Sequence, residues 1–212
     1  MSDVYDAVIV GAGPAGSAAG IVLARAGHRV VLLDRSAFPR EKPCGDLIGA
    51  RAMAAAYRLW LDAEDVRAYA PLMGAMLTTA GGQLDLVPRS AIGKRVLAKS
   101  DARVVPRMVF DDLLVQCAIA AGAELRQAHV RTVGRWDGDA RVRMVHADTE
   151  AGSETIAARS VVIAGGYGCQ VASGVARSNR DDGPPRGIAI RGYFREVASP
   201  PDRIIFMLDQ WL

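Results

Sequence analysis

Three glycines near the start of the chain have the spacing of a loop that binds a dinucleotide. Gly11, Gly13 and Gly16 form the pattern GxGxxG, which follows a short apolar run and precedes a run of small residues. The first glycine allows a tight turn, the second lets the backbone approach a pyrophosphate, and the third permits close helix packing. The helix N-terminus then presents free N–H groups to the phosphates. The sequence therefore predicts a dinucleotide site, with Pro14 and Ala15 in the same turn.

An acidic residue supports this interpretation. Asp34 ends the second apolar run, "HRVVLLD", 18 positions after Gly16. A carboxylate at this place accepts hydrogen bonds from an adenosine ribose and disfavours a 2′-phosphate, although the following Arg35 tempers that preference. These residues alone do not decide whether the dinucleotide is FAD or NAD. The additional Gly20 and the location at the very start of the chain favour FAD.

The bulk properties exclude several other classes of protein. The chain has 212 residues, half of them hydrophobic, and a formal net charge of +3, which is too small to indicate nucleic-acid binding. Cys44, Cys117 and Cys169 are far apart and form no CxxC pair, so neither disulfides nor a metal site is predicted. The sequence shows no secretory leader and no run long enough to span a bilayer. We expect a cytoplasmic protein, with peripheral membrane contact left open.

The opening "DAVIVGAGPAGSAAGIVLARAGHRVVLLDRSAFPREKPCGD" resembles the geranylgeranyl-reductase-like flavoproteins, within the p-hydroxybenzoate-hydroxylase-type group of FAD enzymes. Its diagnostic part is "FPREKPCGD" at 38–46. The resemblance implies FAD and an α/β fold: a Rossmann-like (GR2-type) FAD-binding domain with a parallel sheet and a β-meander, plus the start of a β-rich substrate domain. It implies that Cys44 and Gly45 lie near the isoalloxazine ring. It also implies that Arg107, in "RMVFD", contacts the flavin dinucleotide, and that the Val130 backbone meets the adenine edge.

Periodicity gives the remaining elements. Residues 47–69 and 107–121 read as helices, "AMLTTAGGQLDLV" as a hairpin around Gly-Gly, and 124–163 as a strand meander with turns at 137–138 and 151–152. Residues 94–106 are predicted to be extended. On them Lys94, Arg95 and Lys99 either meet an anionic head group or form a solvated strand face. We expect Arg107 to point away from the apolar stripe of its helix, as an exposed arginine if it is not a cofactor contact.

A second glycine loop, "VIAGGYGCQV" at 162–171, follows the meander. By the resemblance it corresponds to a "GADGxxSxVR" loop, in which Gly165 stands at the aspartate, Gly166 at the glycine and Cys169 at the serine. The polar groups of that loop are absent here, and the glycine that shapes its backbone is kept. We therefore expect Gly165 and Gly166 to lie beside the cofactor without supplying polar contacts, which weakens the case for a standard NAD(P)H-driven hydroxylase.

The domain prediction assigns 1–70 and 101–176 to the FAD-binding domain. It assigns 71–100 and 186–212 to an incomplete substrate domain, and 177–185 to a linker. The chain ends within a strand-like run, so we expect an open sheet edge that a partner chain or a missing segment covers.

The first functional prediction is an FAD-dependent oxidoreductase that reduces C=C bonds of an isoprenoid or lipid-like substrate. NAD(P)H would be a transient electron donor. The alternatives are a monooxygenase of aromatic or polyketide substrates and a non-redox flavin-scaffolded protein or cyclase. The available residues lack the motifs of a halogenase and the catalytic constellation of an NAD-dependent dehydrogenase. No catalytic residue is identified.

Overall fold

The structure is a computed structural model that describes residues 4–59, 61–69, 71–136, 139–167, 169–171, 190–198 and 203–208. By contacts between Cα atoms the chain divides into two compact units. The first comprises residues 1–42, 59–61 and 107–189, and the second comprises 43–58, 62–106 and 190–212. Residues 43–58, 62–70 and 101–106 thus group with the second unit, whereas the sequence assigned them to the FAD-binding domain. The assignment of functions to these segments stays a prediction, and the linker predicted at 177–185 lies outside the described residues.

The first unit is built on a mixed six-stranded sheet. Its elements are β1 (Tyr5–Val10), α1 (Pro14–Arg25), β2 (Val30–Asp34), α4 (Arg107–Ala120), β7 (Glu124–Gln127), β8 (His129–Trp136), β9 (Asp139–Thr149) and β10 (Gly152–Ile163). The strand order is β7-β2-β1-β10-β9-β8. Strands β7, β2, β1 and β10 are parallel, and β9 and β8 add to β10 as an antiparallel meander. The predicted parallel sheet with a β-meander is confirmed. The meander consists of β8, β9 and β10, and the prediction is wrong for residues 124–127, which form β7 at the opposite edge of the sheet because they pair with β2.

Both faces of the central strands are buried, as expected where a parallel sheet is covered on two sides. On one face Ile9 and Leu32 pack with Ile21 of α1 and Val115 of α4. The opposite face carries a second apolar cluster that includes Val8, Val10, Val31 and Leu33 of the same strands, and Val130, Val145 and Ile156 of the meander. Because side chains alternate along a strand, one continuous apolar run serves both layers. This packing fixes the carboxyl ends of β1, β2 and β10 side by side.

The second unit contains short elements. They are β3 (Leu47–Ile48), α2 (Ala50–Arg58), a 3-10 turn (Glu64–Val66), β4 (Ala75–Thr79), β5 (Gly82–Leu86), α3 (Ala91–Ser100), β6 (Arg103–Val104) and β11 (Ile204–Leu208). Strands β4 and β5 form the predicted hairpin, and β11 pairs parallel with β4. A two-stranded antiparallel pair joins β3 and β6.

Two sequence-based predictions in this unit are wrong. The helix predicted over 47–69 is confined to α2, because Leu47 and Ile48 pair as a strand, and because the Asp62 carboxylate accepts the Glu64 N–H at 2.9 Å and starts a separate turn. The segment predicted to be extended over 94–106 is mostly the helix α3. Its start is capped by Ser90, whose hydroxyl accepts the Gly93 N–H at 3.0 Å, and its alanine, lysine and arginine residues favour a helix.

Candidate cofactor site

The glycine turn joins the end of β1 to the start of α1. Gly11 has φ +93°, a conformation that glycine adopts without strain. A Cβ at Gly16 would overlap the Gly11 carbonyl oxygen, which is why the helix can start this close to the strand only with glycine there. Gly13 is the N-cap of α1, Pro14 opens the first turn, and no side chain of the described residues caps this N-terminus. The first N–H groups of the helix, including those of Ala15 and Gly16, therefore face outward and suit a pyrophosphate.

Asp34 lies beside this turn at the end of β2. Its carboxylate is buried and accepts the Ala12 N–H at 2.9 Å and the Ser36 N–H at 3.1 Å. These two bonds tie the end of β2 to the glycine turn and hold the carboxylate in place. Arg35 is exposed. The predicted acidic residue is therefore next to the glycine turn, in a position to accept further hydrogen bonds from a ribose.

Arg40 is a site residue that the sequence analysis did not identify. Its guanidinium lies between two carboxylates, at 3.5 Å from Asp34 and 3.4 Å from Asp111, and stacks on the Phe38 ring at 4.7 Å. A Cβ built on Gly13 would be 3.5 Å from Arg40 Nη2. Within the described residues, the buried Arg40 Nε has no hydrogen-bond partner. A buried donor without an acceptor beside an open helix N-terminus is what a site for an anionic cofactor requires.

Arg107 and Asp111 support Arg40 from α4. Arg107 donates to both oxygens of Asp111, at 2.7 and 2.9 Å, and the Asp111 side chain is fully buried. The alternative of an exposed Arg107 is wrong: the side chain is 7% exposed, because the bidentate pair satisfies it within the unit. Its predicted contact with the flavin dinucleotide stays a prediction. The i,i+4 spacing of Arg107 and Asp111 was the sequence signal for this pair.

The second glycine loop lies against the first. The Ala164 N–H donates to the Val10 carbonyl at 2.8 Å, and a Cβ on Gly11 would be 2.7 Å from the Ala164 carbonyl oxygen. A Cβ on Gly165 would overlap the Cys169 side chain, so the residue that stands at the serine position leaves no room for a carboxylate at 165. Gly166 has φ +74°, and a Cβ added to it would lie 3.2 Å from Lys42 Nζ.

Lys42 is the second site residue that sequence reasoning missed. Its ammonium lies near both glycine loops, since a Cβ on Gly13 would be 3.8 Å away from it. Both missed cations come from "FPREKPCGD", the loop whose Pro-Cys-Gly part carried the resemblance. The available signal was the pair of cations in this loop, six and eight positions after Asp34.

The other predicted residues lie elsewhere. Cys44 and Gly45 belong to the second unit, where Cys44 is exposed and its carbonyl oxygen accepts Arg191 Nη1 at 3.3 Å. Their place near the flavin ring stays a prediction. Val130 is buried in the first unit and pairs with Ala147 of β9, and its contact with adenine likewise stays a prediction. Among the described residues no cluster of side chains could hold a metal ion, and no helix is long and apolar enough to cross a bilayer.

The fold and the site define a dinucleotide-binding protein. The features that do so are a glycine-rich turn, a helix N-terminus without a side-chain cap, and a buried acidic residue, all at the ends of adjacent parallel strands. Residues 4–182 match the family described as FAD binding domain, and the chain belongs to this family. FAD as the cofactor is thereby confirmed, and the residues around the glycine turn fit it.

Several curated relatives of the chain are reductases. The chain is 34% identical over 204 residues to menaquinone reductase of Mycolicibacterium smegmatis, which covers 94% of this chain and 46% of the relative. It is 34% identical over 164 residues to digeranylgeranylglycerophospholipid reductase 2 of Methanopyrus kandleri, covering 76% of this chain and 37% of the relative. The chain thus spans less than half the length of these relatives. The predicted kinship with geranylgeranyl-reductase-like FAD-dependent oxidoreductases is confirmed.

Solved structures agree on the fold. The myxobacterial chondrochloren halogenase, an FAD-dependent halogenase, superposes with a TM-score of 0.68 at 27% identity, over 81% of this chain and 39% of that one. Aklavinone-11 hydroxylase, solved with FAD and aklavinone, gives a TM-score of 0.61 at 22% identity, over 76% of this chain and 33% of that one. The second likeness concerns the fold alone.

Proposed function

We propose that this chain is the FAD-binding part of a reductase that saturates a C=C bond of an isoprenoid or lipid-like substrate. The observation that carries the proposal is the cluster of Asp34, Arg40 and Asp111 around an uncapped helix N-terminus, in a chain 34% identical to a menaquinone reductase. FAD, when bound, supplies hydride chemistry. The substrate would take up a hydride and a proton, and a nicotinamide donor, NAD(P)H, would supply the electrons.

The residues of the first unit bind and orient the cofactor. The N-terminal amides of α1 donate to the pyrophosphate, and Arg40 and Lys42 neutralise its charge. Asp34 accepts from the ribose hydroxyls while Ala12 and Ser36 hold its carboxylate. Arg107 acts through Asp111 and keeps the Arg40 guanidinium in position. Gly165 and Gly166 supply a close-packed wall that offers no side-chain acceptor to the cofactor.

A monooxygenase of aromatic or polyketide substrates is the second candidate, since the halogenase and hydroxylase structures share this fold. The glycine loop argues against it. At the position where the hydroxylase-type loop has a carboxylate, the chain has Gly165, and Cys169 fills the adjacent space.

Anaerobic flavin spectroscopy on the protein at its full encoded length separates these functions. The purified protein should carry oxidised flavin that NAD(P)H bleaches, and an isoprenoid lipid without a quinone ring should restore the oxidised spectrum without oxygen while it gains two hydrogens at a C=C bond. A requirement for oxygen, with a hydroxylated product, would support the monooxygenase instead. Flavin that stays oxidised throughout would support a non-redox role.

A further inference from the structure

The helix α3 of the second unit, Ala91–Ser100, has an exposed apolar face. Ile92 is 76% exposed and Val96 is 64% exposed. Because residues four apart lie on the same side of a helix, these two β-branched side chains form one contiguous patch. None of the described side chains of α3 is buried, so these side chains add little packing to the unit.

Positive charge surrounds the patch. Arg95 and Lys99 lie within one turn of Ile92 and Val96 on the same side of the helix, and both are exposed. Residues 88–100 also contain Arg89 and Lys94 and have no acidic residue. An apolar patch flanked by cations on a short helix is the pattern of a segment that lies in the plane of a membrane interface.

The charge decides between possible occupants. A second copy of the chain docked through this face would bring two sets of cations together, which is unfavourable. An anionic lipid surface satisfies both features, since it attracts cations near the headgroups and accepts apolar side chains just below them. A helix of only ten residues is marginal in water by itself, and such a surface would also stabilise its fold.

We propose that α3 is a docking helix for an anionic membrane surface, with Ile92 and Val96 inserted below the headgroups and Arg95 and Lys99 at the lipid phosphates. The inference rests on the proposed function in one respect: a lipid-like substrate is delivered from the membrane. It names the surface through which this protein reaches that substrate. The helix lies on the bilayer and does not cross it.

Vesicle sedimentation tests the proposal. The protein at its full encoded length is mixed with vesicles of phosphatidylcholine alone or of equal parts phosphatidylcholine and phosphatidylglycerol. We expect binding to the anionic vesicles, weakened by salt, and at least about a tenfold loss of affinity in both Ile92→Ser/Val96→Ser and Arg95→Glu/Lys99→Glu. Equal binding of these variants and the wild type, or no binding to anionic vesicles, would overturn the proposal.

Matched controls separate this face from general effects of charge and polarity. Arg51→Glu/Arg58→Glu reverses two exposed cations on α2, and Val22→Ser/Ile119→Ser removes two exposed apolar side chains on α1 and α4. Both should bind vesicles as the wild type does. Hydrogen exchange gives an independent measurement: the α3 amides should become protected on anionic vesicles. If another segment of the full-length chain covers this helix, these amides are protected without vesicles, and the proposal fails.

A separate assay distinguishes this proposal from the proposed function. Saturation of a short-chain isoprenoid dispersed in detergent does not require the membrane, so the α3 variants should keep this activity. Vesicle binding without any C=C saturation would refute the reductase function and leave the docking helix standing.

Discussion

Replacing Arg40 by leucine tests the cofactor site most directly. The guanidinium lies at 3.5 Å from Asp34 and 3.4 Å from Asp111, and within the described residues its buried Nε has no acceptor. If that donor and the positive charge serve the pyrophosphate, the variant loses at least one charge-assisted hydrogen bond, worth roughly 1.5–3 kcal/mol. This corresponds to a rise in the Kd for FAD of roughly 10- to 150-fold.

The assay is a titration of the apoprotein with FAD, followed by flavin fluorescence. Arg40→Lys keeps the charge but cannot reach both carboxylates as a planar fork, so its loss of affinity should be intermediate. Arg159→Leu is the matched control, because that arginine also pairs with an aspartate, Asp6 at 3.7 Å, but is 70% exposed. Its affinity for FAD should equal that of the wild type.

Folding must be checked in the same variants. Asp111 keeps both bonds from Arg107 when Arg40 is removed, and Asp34 keeps the backbone donors of Ala12 and Ser36. The Arg40→Leu apoprotein should therefore still melt cooperatively. A folded Arg40→Leu variant that binds FAD as tightly as the wild type would refute the assignment of Arg40 to the pyrophosphate.

Two further predictions concern the first unit. Gly165→Ala should lower the Tm of the apoprotein and weaken FAD binding, because the added Cβ meets the Cys169 side chain, and the double variant Gly165→Ala/Cys169→Gly should recover much of both. An unchanged Tm in the single variant would contradict the packing of this loop. Hydrogen bonds from Arg126 and Tyr5 hold the pKa of Glu124 below its usual value despite partial burial. A lowered folded-state pKa stabilises the fold above the unfolded pKa of about 4.3, and this contribution is lost as pH falls through the folded value. Chemical denaturation from pH 6 to about pH 3 should therefore show a smaller acid-dependent loss of unfolding free energy in Glu124→Gln than in the wild type; identical slopes would disprove this linkage.

The elements that position the cofactor were predictable because their signals are local and strong. The strands that end at Val10 and Asp34 are buried on both faces, and the glycine turn after the first of them is sterically forced. Strand β2 lies within the predicted run "HRVVLLD" and ends with it at Asp34. The extended structure predicted for 94–106 is wrong over α3 because the apolar periodicity there is weak, whereas the Ser90 cap and the helix-forming residues after it favour a helix. Nothing buries its described side chains, so no core pattern marked it.

Arg40 and Asp111 could not be paired from sequence alone, since 71 positions separate them. A fully buried carboxylate such as Asp111 needs cationic partners. Arg107 supplies one cation from the same helix. Arg40 supplies the second because the loop that follows β2 brings it next to the glycine turn. The cluster of Asp34, Asp111, Arg40, Arg107 and Lys42 holds one more positive than negative charge. A bound pyrophosphate, which carries two negative charges, would change the net charge of the cluster from +1 to −1. Its own carboxylates therefore preorganise the site, and its net positive charge still attracts an anion. This is how two acidic residues can lie beside the turn that we propose for the pyrophosphate.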